Sequence, residues 1–415
     1  MNKTGKLDIH KTMSASPIAK DAGRVDLFVL VVLSALMAFA SISTDTYLPA
    51  FPTISAAFQV DPGRIQLTLS SYLIGFSVGQ LIWGPIGDRY GRRKPIAVGM
   101  ILFMIGSGGC ALSGTAEQMI GWRVIQALGA CSGPVLARAM VRDLYARERS
   151  AQMLSTLMLV MGVAPLLGPL LGGQILALWS WQAIFWCLVG FGILALIGVL
   201  ALPETLAASR RSAQGLAEVW INYLTLVRNP RLLGYAAAGG FYYGGAYAYI
   251  AGTPFAYIDY YHVPPQAYGL LFGLNIVGMM GANFLNSRLV MRLGSDRIFH
   301  FGAGIAALSG VMTALDARFG WGGLVGLVLP LFFFFSVSGF IVANSVAGAL
   351  AAFPRNAGAA SAVVGATHYG SGIFSAAALG WFADGTPWTM GWIIGVTGLG
   401  SLGAALFLVR PVRTE

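Results

Sequence analysis

Long apolar segments recur along almost the whole chain, and they constrain its fold more than any other feature. As a helix rising 1.5 Å per residue, a segment of about 20 residues spans the ~30 Å hydrocarbon layer of a bilayer. The segments are continuous and lack the alternation of a membrane β-strand, which excludes a β-barrel. Only 10% of the 415 residues are charged, whereas soluble domains usually carry about 25%. The sequence therefore predicts an all-α polytopic membrane protein.

Twelve transmembrane helices are predicted from these segments. Their approximate ranges are 26–49, 65–86, 95–113, 118–140, 152–178, 181–202, 232–258, 267–287, 297–316, 321–349, 358–382 and 388–409. The long internal loop after the sixth helix divides them into two halves of six. The predicted parts are an N-terminal tail 1–25, a first half 26–203, a linker 204–231, a second half 232–410 and a C-terminal tail 411–415.

A weak internal repeat supports this division. An Arg-x-Gly sequence follows the second helix at Arg89 to Gly91, and another follows the eighth helix at Arg292 to Gly294. Parallel repeats of six helices form a central cavity that opens alternately to the two sides of the membrane. We therefore expect such a cavity between the two halves.

The basic residues are distributed unevenly between the two sides. If the N-terminal tail is cytoplasmic, nearly all arginines of the loops fall on the cytoplasmic side, and only Arg64 and Arg318 fall outside. Such a bias fixes orientation in membrane proteins. It predicts that both termini are cytoplasmic, and it explains the net charge of +10 without nucleic-acid binding.

The loop between the second and third helices, residues 84–94, is the most specific local signal. Its glycines allow a tight turn, its arginines suit the anionic membrane interface, and its aspartate can meet the N-terminus of a neighbouring helix. A contact of this kind would act as a gate, although a basic loop with a turn explains the same residues. The predicted gating residues are Gly84, Asp88, Arg89, Gly91 and Arg92.

Asp45 is the one carboxylate that lies well inside a predicted helix, and Arg123 is the one cation. A buried carboxylate takes up and releases a proton as its surroundings change, which a coupling site requires. The two residues lie at similar depths, so we expect them to pair. An interfacial cap at Asp45 and a purely structural salt bridge are the alternatives.

Small residues recur every four positions in the fifth helix, at Ala164, Gly168 and Gly172, and Gly173 follows. They provide a flat face for close helix packing, while Pro165 and Pro169 remove backbone donors and soften the helix. A close-packed, bendable helix suits a cavity that seals on alternate sides.

Polar and aromatic residues in the middle of the helices are the candidates for a substrate cavity. An amphipathic ligand needs apolar walls with a few hydrogen-bonding groups. For any one of them, an interhelical hydrogen bond or core packing is an equally good explanation. They are Ser41, Tyr72, Gln80, Gln126, Tyr243, Tyr247, Asn275, Asn344 and His368.

Several chemistries are not indicated. The sequence contains no Gly-x-x-x-x-Gly-Lys-Ser/Thr phosphate loop, so ATP is not the expected energy source. No metal-ligand cluster and no Ser–His–Asp set is evident. We therefore predict no enzyme activity, metal or cofactor, and we expect a proton gradient to supply the energy.

Several segments resemble the major facilitator superfamily. Loop 84–94 is similar to its signature between helices two and three. Segment 121–130 resembles its fourth-helix motif, with Ala127 where many members have glycine. Segment 164–173 resembles its fifth-helix antiporter motif, with Ala164 replacing the first glycine.

Other segments narrow the resemblance to the Bcr/CflA drug-efflux branch and its bicyclomycin-resistance and chloramphenicol–florfenicol efflux proteins. They are Asp45 to Pro52, Trp181 to Phe185, Leu202 to Thr205, Leu274 to Val277 and Asn286 to Arg288. The resemblance implies a monomeric multidrug efflux transporter of the bacterial inner membrane. It would export bicyclomycin-like or phenicol-like drugs in exchange for protons.

Two other functions agree with parts of this pattern. A proton symporter importing a small nutrient would use the same buried aspartate, and physical reasoning alone does not separate it from an exporter. A membrane sensor or scaffold would be expected to carry an extra soluble domain. The antiporter-like fifth helix favours export.

Overall fold

The computed structural model describes residues 22–145, 147–211, 216–351, 353 and 356–409. These residues form helices joined by short loops, and they contain no strand. The predicted all-α class is therefore confirmed. The tails lie outside the described residues, except for residues 22–25, which begin the first helix.

Fifteen α-helices are described. In chain order α1 to α15 they are Ala22–Asp45, Phe51–Phe58, Pro62–Tyr90, Arg93–Ala111, Ala116–Leu144, Arg147–Leu178, Trp181–Ala201, Leu216–Val227, Pro230–Pro254, Pro265–Leu293, Ser295–Phe319, Gly323–Ser336, Ser338–Ala351, Ala357–Trp381 and Trp388–Leu408.

Each predicted span coincides with one or two of these helices. The first continues through a 3₁₀ turn at Leu48–Ala50 into α2, and the tenth is divided at Val337 into α12 and α13. Within the described ranges, ten segments are long and apolar enough to cross a membrane. The two other predicted spans, α9 and α14, have 25 residues each but carry more glycine, serine, threonine and tyrosine. The structure thus has the two six-helix halves that the sequence predicts.

Local sequence explains where many helices begin and end. The Asn229 side chain accepts hydrogen bonds from the backbone N–H groups of the first turn of α9. Gly91 ends α3 with φ +91°, and Gly294 ends α10 with φ +81°. Positive φ favours glycine, so the two Arg-x-Gly sequences occupy matching helix ends in the two halves.

The linker contains a helix that the sequence reasoning missed. Helix α8 occupies Leu216–Val227, where a loop was expected. Its Tyr223 hydroxyl donates to the carbonyl of Leu81 at 3.1 Å, which ties α8 to α3. An amphipathic segment of 12 residues is too short to span a bilayer, so it did not register as a transmembrane helix.

One end of the bundle is called the basic end, because it carries Arg89, Arg92, Arg138 and Arg142. At the other end the two halves touch. A Cβ atom at Gly380 would lie 2.9 Å from the carbonyl oxygen of Gly63, and the rings of Phe51 and Phe255 are 5.9 Å apart. At the basic end a cavity of about 500 Å³ separates the halves. This conformation is therefore closed at the far end and open at the basic end.

Candidate transport site

Asp45 is the last residue of α1 and is buried in the protein, with 4% of its surface exposed. The Thr44 hydroxyl donates to its Oδ1 at 2.8 Å. The backbone then turns through the 3₁₀ segment that contains Pro49. Asp45 is therefore enclosed by other helices and does not face solvent at the end of α1.

Arg123 of α5 is completely buried between two aromatic rings. Its guanidinium carbon lies 4.1 Å from the ring centre of Tyr47 and 4.3 Å from that of Tyr72. Its Nη1 donates to the carbonyl of Ser43 at 3.0 Å and to Oε1 of Gln126 at 2.5 Å. A cation between two ring faces is stabilised by their quadrupoles, most strongly where water is excluded.

The predicted ion pair between Asp45 and Arg123 is absent in this conformation. The ion pairs found among the described residues are Arg64–Glu117, Arg92–Asp88 and Arg92–Asp143. The physical reason is that the rings and neutral oxygens already hold the guanidinium, while Thr44 holds the carboxylate. Nε and Nη2 of Arg123 are buried and have no hydrogen-bond partner among the described atoms. The cation therefore retains donors for another acceptor.

The rings of Tyr47 and Tyr72 form an aromatic clamp around Arg123, and hydrogen bonds anchor this clamp to α1 and α3. The Tyr47 hydroxyl bonds the Thr68 hydroxyl at 3.1 Å, and the Tyr72 hydroxyl bonds that of Ser43 at 2.5 Å. Ser43 thus contacts Arg123 through its carbonyl and Tyr72 through its side chain. A change at Asp45, two residues further on, can reach α3 and α5 through these contacts.

The glycines of the fifth-helix motif lie directly against this part of the chain. A Cβ atom at Gly168 of α6 would lie 2.9 Å from Cβ of Asp45, and one at Gly172 would overlap the carbonyl of Thr46. A Cβ at Gly173 would lie 2.9 Å from the carbonyl of Pro265 in the second half. Buried Pro169 lies between these contacts. The motif therefore brings α6 against both Asp45 and the opposite half.

An aromatic cluster joins the two halves near Arg123. Phe76 of α3 follows Tyr72 on the same helix and contacts Tyr369 of α14, with ring centres 4.5 Å apart. Tyr369 lies 6.0 Å from Tyr243 and 6.1 Å from Tyr247 of α9. We call Phe76, Tyr243, Tyr247 and Tyr369 the aromatic cluster.

His368 extends the aromatic cluster on α14. Its ring stacks on Tyr243 at 4.6 Å, and its buried Nε2 has no described hydrogen-bond partner. That nitrogen faces Gly239 of α9, where a Cβ atom would overlap it. The missing side chain at Gly239 makes room for the histidine ring.

The predicted cavity residues separate into groups. Tyr72, Tyr243, Tyr247 and His368 lie at the centre, Gln80 lines the cavity at the basic end, and Gln126 binds Arg123. Ser41 is half-buried on α1, where its carbonyl accepts from Thr44.

Two predicted cavity residues have their partners inside the second half. Asn275 donates to the Tyr249 hydroxyl at 2.7 Å. Asn344 donates to Asn286 and accepts from Ser295, both at 2.8 Å. Interhelical hydrogen bonding, the alternative explanation, accounts for both residues.

The predicted gating loop forms a charge network at the basic end. Arg92 binds Asp88 at 2.6 Å and Asp143 at 2.8 Å. The expected contact of Asp88 with a helix N-terminus is absent, because its carboxylate is taken by Arg92. Gly84 and Arg89 line the basic-end cavity beside this network.

Glu204, and not Asp88, is the carboxylate that binds the N-terminus of α4. Its two oxygens accept from the backbone N–H groups of Arg92 at 2.8 Å and Arg93 at 3.2 Å, at the start of α4. A Cβ atom at Gly91 would lie 2.5 Å from Oε2 of Glu204. Burial alone would raise the pKa of Glu204, but the bonds from the backbone N–H groups of Arg92, Leu206 and Arg93 lower it overall.

Residues 31–374 match the sequence model of the Major Facilitator Superfamily. The bicyclomycin resistance protein homolog of Haemophilus influenzae is 33% identical over 83% of this chain and 86% of its own. The chloramphenicol resistance protein of Pseudomonas aeruginosa is 30% identical over 80% and 79%. Multidrug resistance protein D of Escherichia coli is 27% identical over 93% of each chain.

The solved structures that resemble this chain show the same fold at low identity. A D-xylose–proton symporter superimposes with a TM-score of 0.76 at 16% identity, covering 94% of this chain and 99% of its own. The inward-open conformation of the E. coli xylose transporter gives 0.70 at 14% identity, covering 94% and 97%. These relatives and folds confirm the resemblance to the Bcr/CflA branch and to its twelve-helix architecture.

Proposed function

The chain belongs to the Major Facilitator Superfamily, and we propose that it exports small drug-like molecules in exchange for protons by alternating access. It is a multi-pass membrane transporter and not an enzyme. Its relatives are named for resistance to bicyclomycin and chloramphenicol, and we propose substrates of those kinds. The proton gradient is the proposed energy source.

The observation that carries this proposal is the geometry around Asp45. Its carboxyl group is buried against the Thr44 hydroxyl. Two residues earlier in the chain, the Ser43 carbonyl binds Arg123, the cation that two aromatic rings hold in place. An unpaired carboxylate in a membrane interior is costly, so this arrangement suits a protonated Asp45. When the proton leaves, the carboxylate becomes the strongest acceptor available to the two free donors of Arg123.

Movement of Arg123 toward an ionised Asp45 would loosen the aromatic clamp. Tyr72 and Phe76 lie on one helix, and Phe76 touches Tyr369 of the other half. Release of the clamp therefore alters the contact between the halves at the aromatic cluster. We propose this route as the link between the proton and the drug.

The basic end is proposed to be cytoplasmic, which places both termini inside the cell and the open cavity toward the cytoplasm. In this conformation the proton would leave Asp45 and the drug would enter from the basic end. After closure there, the far end would open, the drug would leave and Asp45 would be protonated again. We propose that one monomer in the lipid bilayer of a bacterial inner membrane completes this cycle.

Inside-out vesicles with an acidic interior test the proposal. We expect chloramphenicol or bicyclomycin to cause proton leakage with the native protein and not with the Asp45→Asn variant. Asp61→Asn is the matched control, because Asp61 is exposed at the far end and makes no capping hydrogen bond. Absence of leakage with both drugs and a broad drug panel would contradict export and favour a nutrient importer.

A further inference from the structure

The cavity at the basic end is lined by both halves and by the linker helix. Gln80 lies toward the membrane centre, the charged residues of α3 and α5 form one wall, and the first turn of α14 forms another. Asn222 and Tyr223 of α8 close one side. At about 500 Å³ the cavity is within the size range of sites that take drug-sized ligands.

Positive charge dominates the described lining of this cavity. Four arginines, Arg89, Arg92, Arg138 and Arg142, face a single carboxylate, that of Asp88. Arg92 pairs with Asp88 and Asp143, whereas the other three arginines have no ion-pair partner among the described residues. Like charges around one cavity repel each other, and an anion between them would relieve that repulsion.

The start of α14 adds to this field. Ala357, Gly358 and Ala359 form its first turn and line the cavity. The N-cap residue Asn356 makes no side-chain capping bond, so its side chain does not satisfy the backbone N–H groups of this first turn. The helix dipole favours negative charge at the same place.

Arg138 and Gln80 line the part of the cavity that lies toward the aromatic cluster. Arg138 lies at the inner part of the cavity wall, where its Nε donates to the carbonyl of Pro134 at 2.8 Å. Gln80, which lines the cavity as well, lies about one helical turn from Phe76 of the aromatic cluster on α3. An anionic group held by Arg138 would place its attached ring system toward the aromatic cluster.

We propose that the basic-end cavity is a binding site for small aromatic organic anions and that it admits them to the transport path in preference to cations. The anionic group binds Arg138 and Arg142 beside the first turn of α14, and the apolar part of the molecule points toward the aromatic cluster. The proposal rests on the proposed export function and adds a charge preference to its substrates.

Two xanthene dyes of opposite charge provide the test. Binding of fluorescein, an anion, and of rhodamine 123, a cation, is measured by fluorescence anisotropy on the purified full-length protein in uncharged detergent. We expect fluorescein to bind at least about tenfold more tightly than rhodamine 123, and added salt to weaken it. Equal affinity for the two dyes in the native protein would overturn the proposal without any variant.

Variants locate the site. Arg138→Gln and Arg142→Gln should each weaken fluorescein binding about tenfold, since each removes a charge-assisted hydrogen bond. Arg142→Lys should restore most of the affinity. Arg292→Gln is the matched control, because Arg292 is exposed at the same end but does not line the cavity. Equal loss in Arg292→Gln would mean a general surface effect and would contradict the proposed site.

An acidic lipid headgroup offers the same chemistry as a soluble anion. Short-chain phosphatidylglycerol and phosphatidylcholine are therefore compared as soluble competitors for bound fluorescein. One outcome would contradict substrate admission and assign the site to lipid. In it, phosphatidylglycerol but not phosphatidylcholine displaces fluorescein, and it does so at a lower concentration than a soluble aromatic anion such as salicylate. The dye measurement requires no transport, so the two proposals can fail separately. If no drug causes proton leakage from vesicles but the protein still prefers fluorescein to rhodamine 123, export is rejected and the anion site is retained.

Discussion

Gly168 of α6 packs against Asp45 of α1 so closely that a Cβ atom at position 168 would lie 2.9 Å from Cβ of Asp45. The contact connects two features that appear separately in the sequence, an antiporter-like motif and a buried carboxylate. Since real Cβ atoms do not approach so closely, any larger residue at 168 must displace α1 or α6. The motif therefore fixes the position of the proposed proton site.

The Gly168→Ala variant should impair coupling. The added methyl group overpacks a buried contact, at a cost of about 1–3 kcal/mol, and we expect drug-driven proton leakage to fall roughly tenfold. Gly190→Ala in α7 is the control, because a Cβ there meets nothing within 4 Å. If Gly168→Ala transports like Gly190→Ala, Asp45 does not depend on this packing.

The aromatic clamp should depend on the rings and not mainly on their hydroxyls. A cation–π contact without water is worth about 2 kcal/mol, so Tyr72→Leu should lower the initial rate of drug-driven proton leakage at least about tenfold. Tyr72→Phe keeps the ring over Arg123 and loses only the bond to Ser43, so it should retain most of that rate. Equal loss in both variants would assign the role to the hydroxyl.

Glu204 should stabilise the basic end in a pH-dependent way. Its pKa is lowered in the folded protein, so its contribution is present above the pKa of the unfolded chain and is lost as pH falls through the folded value. The Glu204→Gln variant should lose about 0.5–1 kcal/mol at pH 7, a modest effect because Glu204 is exposed to solvent.

Thermal unfolding of the native protein and Glu204→Gln from pH 7 down to about pH 3 checks this sign, because an ordinary glutamate titrates near about 4.3 and the pKa of Glu204 is lowered in the folded protein. The difference between the two melting temperatures should narrow as the pH falls. A difference that widens on acidification would show that Glu204 is not held as a carboxylate by the N-terminus of α4.

Asn344 should affect stability and not drug binding. Its side chain links α13 to Asn286 of α10 and Ser295 of α11, so Asn344→Ala leaves buried partners unsatisfied at a cost of about 1–3 kcal/mol. We expect a lower melting temperature with an unchanged drug affinity per folded molecule. A selective loss of drug affinity at an unchanged melting temperature would return Asn344 to the list of cavity residues.

Much of the fold could be predicted from sequence because membrane spans depend on local composition. Each predicted span overlaps a described helix, including α9 and α14, whose glycine and tyrosine content makes them less apolar. Helix α8 was missed because the prediction relied on long apolar segments, and α8 is a short helix that packs on Leu81 through Tyr223.

The site was predicted only in part, because its contacts depend on packing between distant helices. The positions of Asp45 and Arg123 in the chain predicted their burial correctly, but the ion pair that was also predicted between them is absent in this conformation. Tyr47 was missed although it lies two residues after Asp45, and Tyr369 was missed although it is next to His368. An aromatic side chain within one helical turn of a predicted site residue is a signal that could have identified both tyrosines.

The most direct test of the central claim is proton release on drug binding. Chloramphenicol is added to the purified protein in weakly buffered detergent solution, and the pH change is recorded for the native protein, Asp45→Asn and the control Asp61→Asn. The account predicts release of up to about one proton per bound drug from the native protein and the control, and none from Asp45→Asn. Equal proton release by Asp45→Asn with unchanged drug binding would contradict the assignment of Asp45 as the coupling carboxylate.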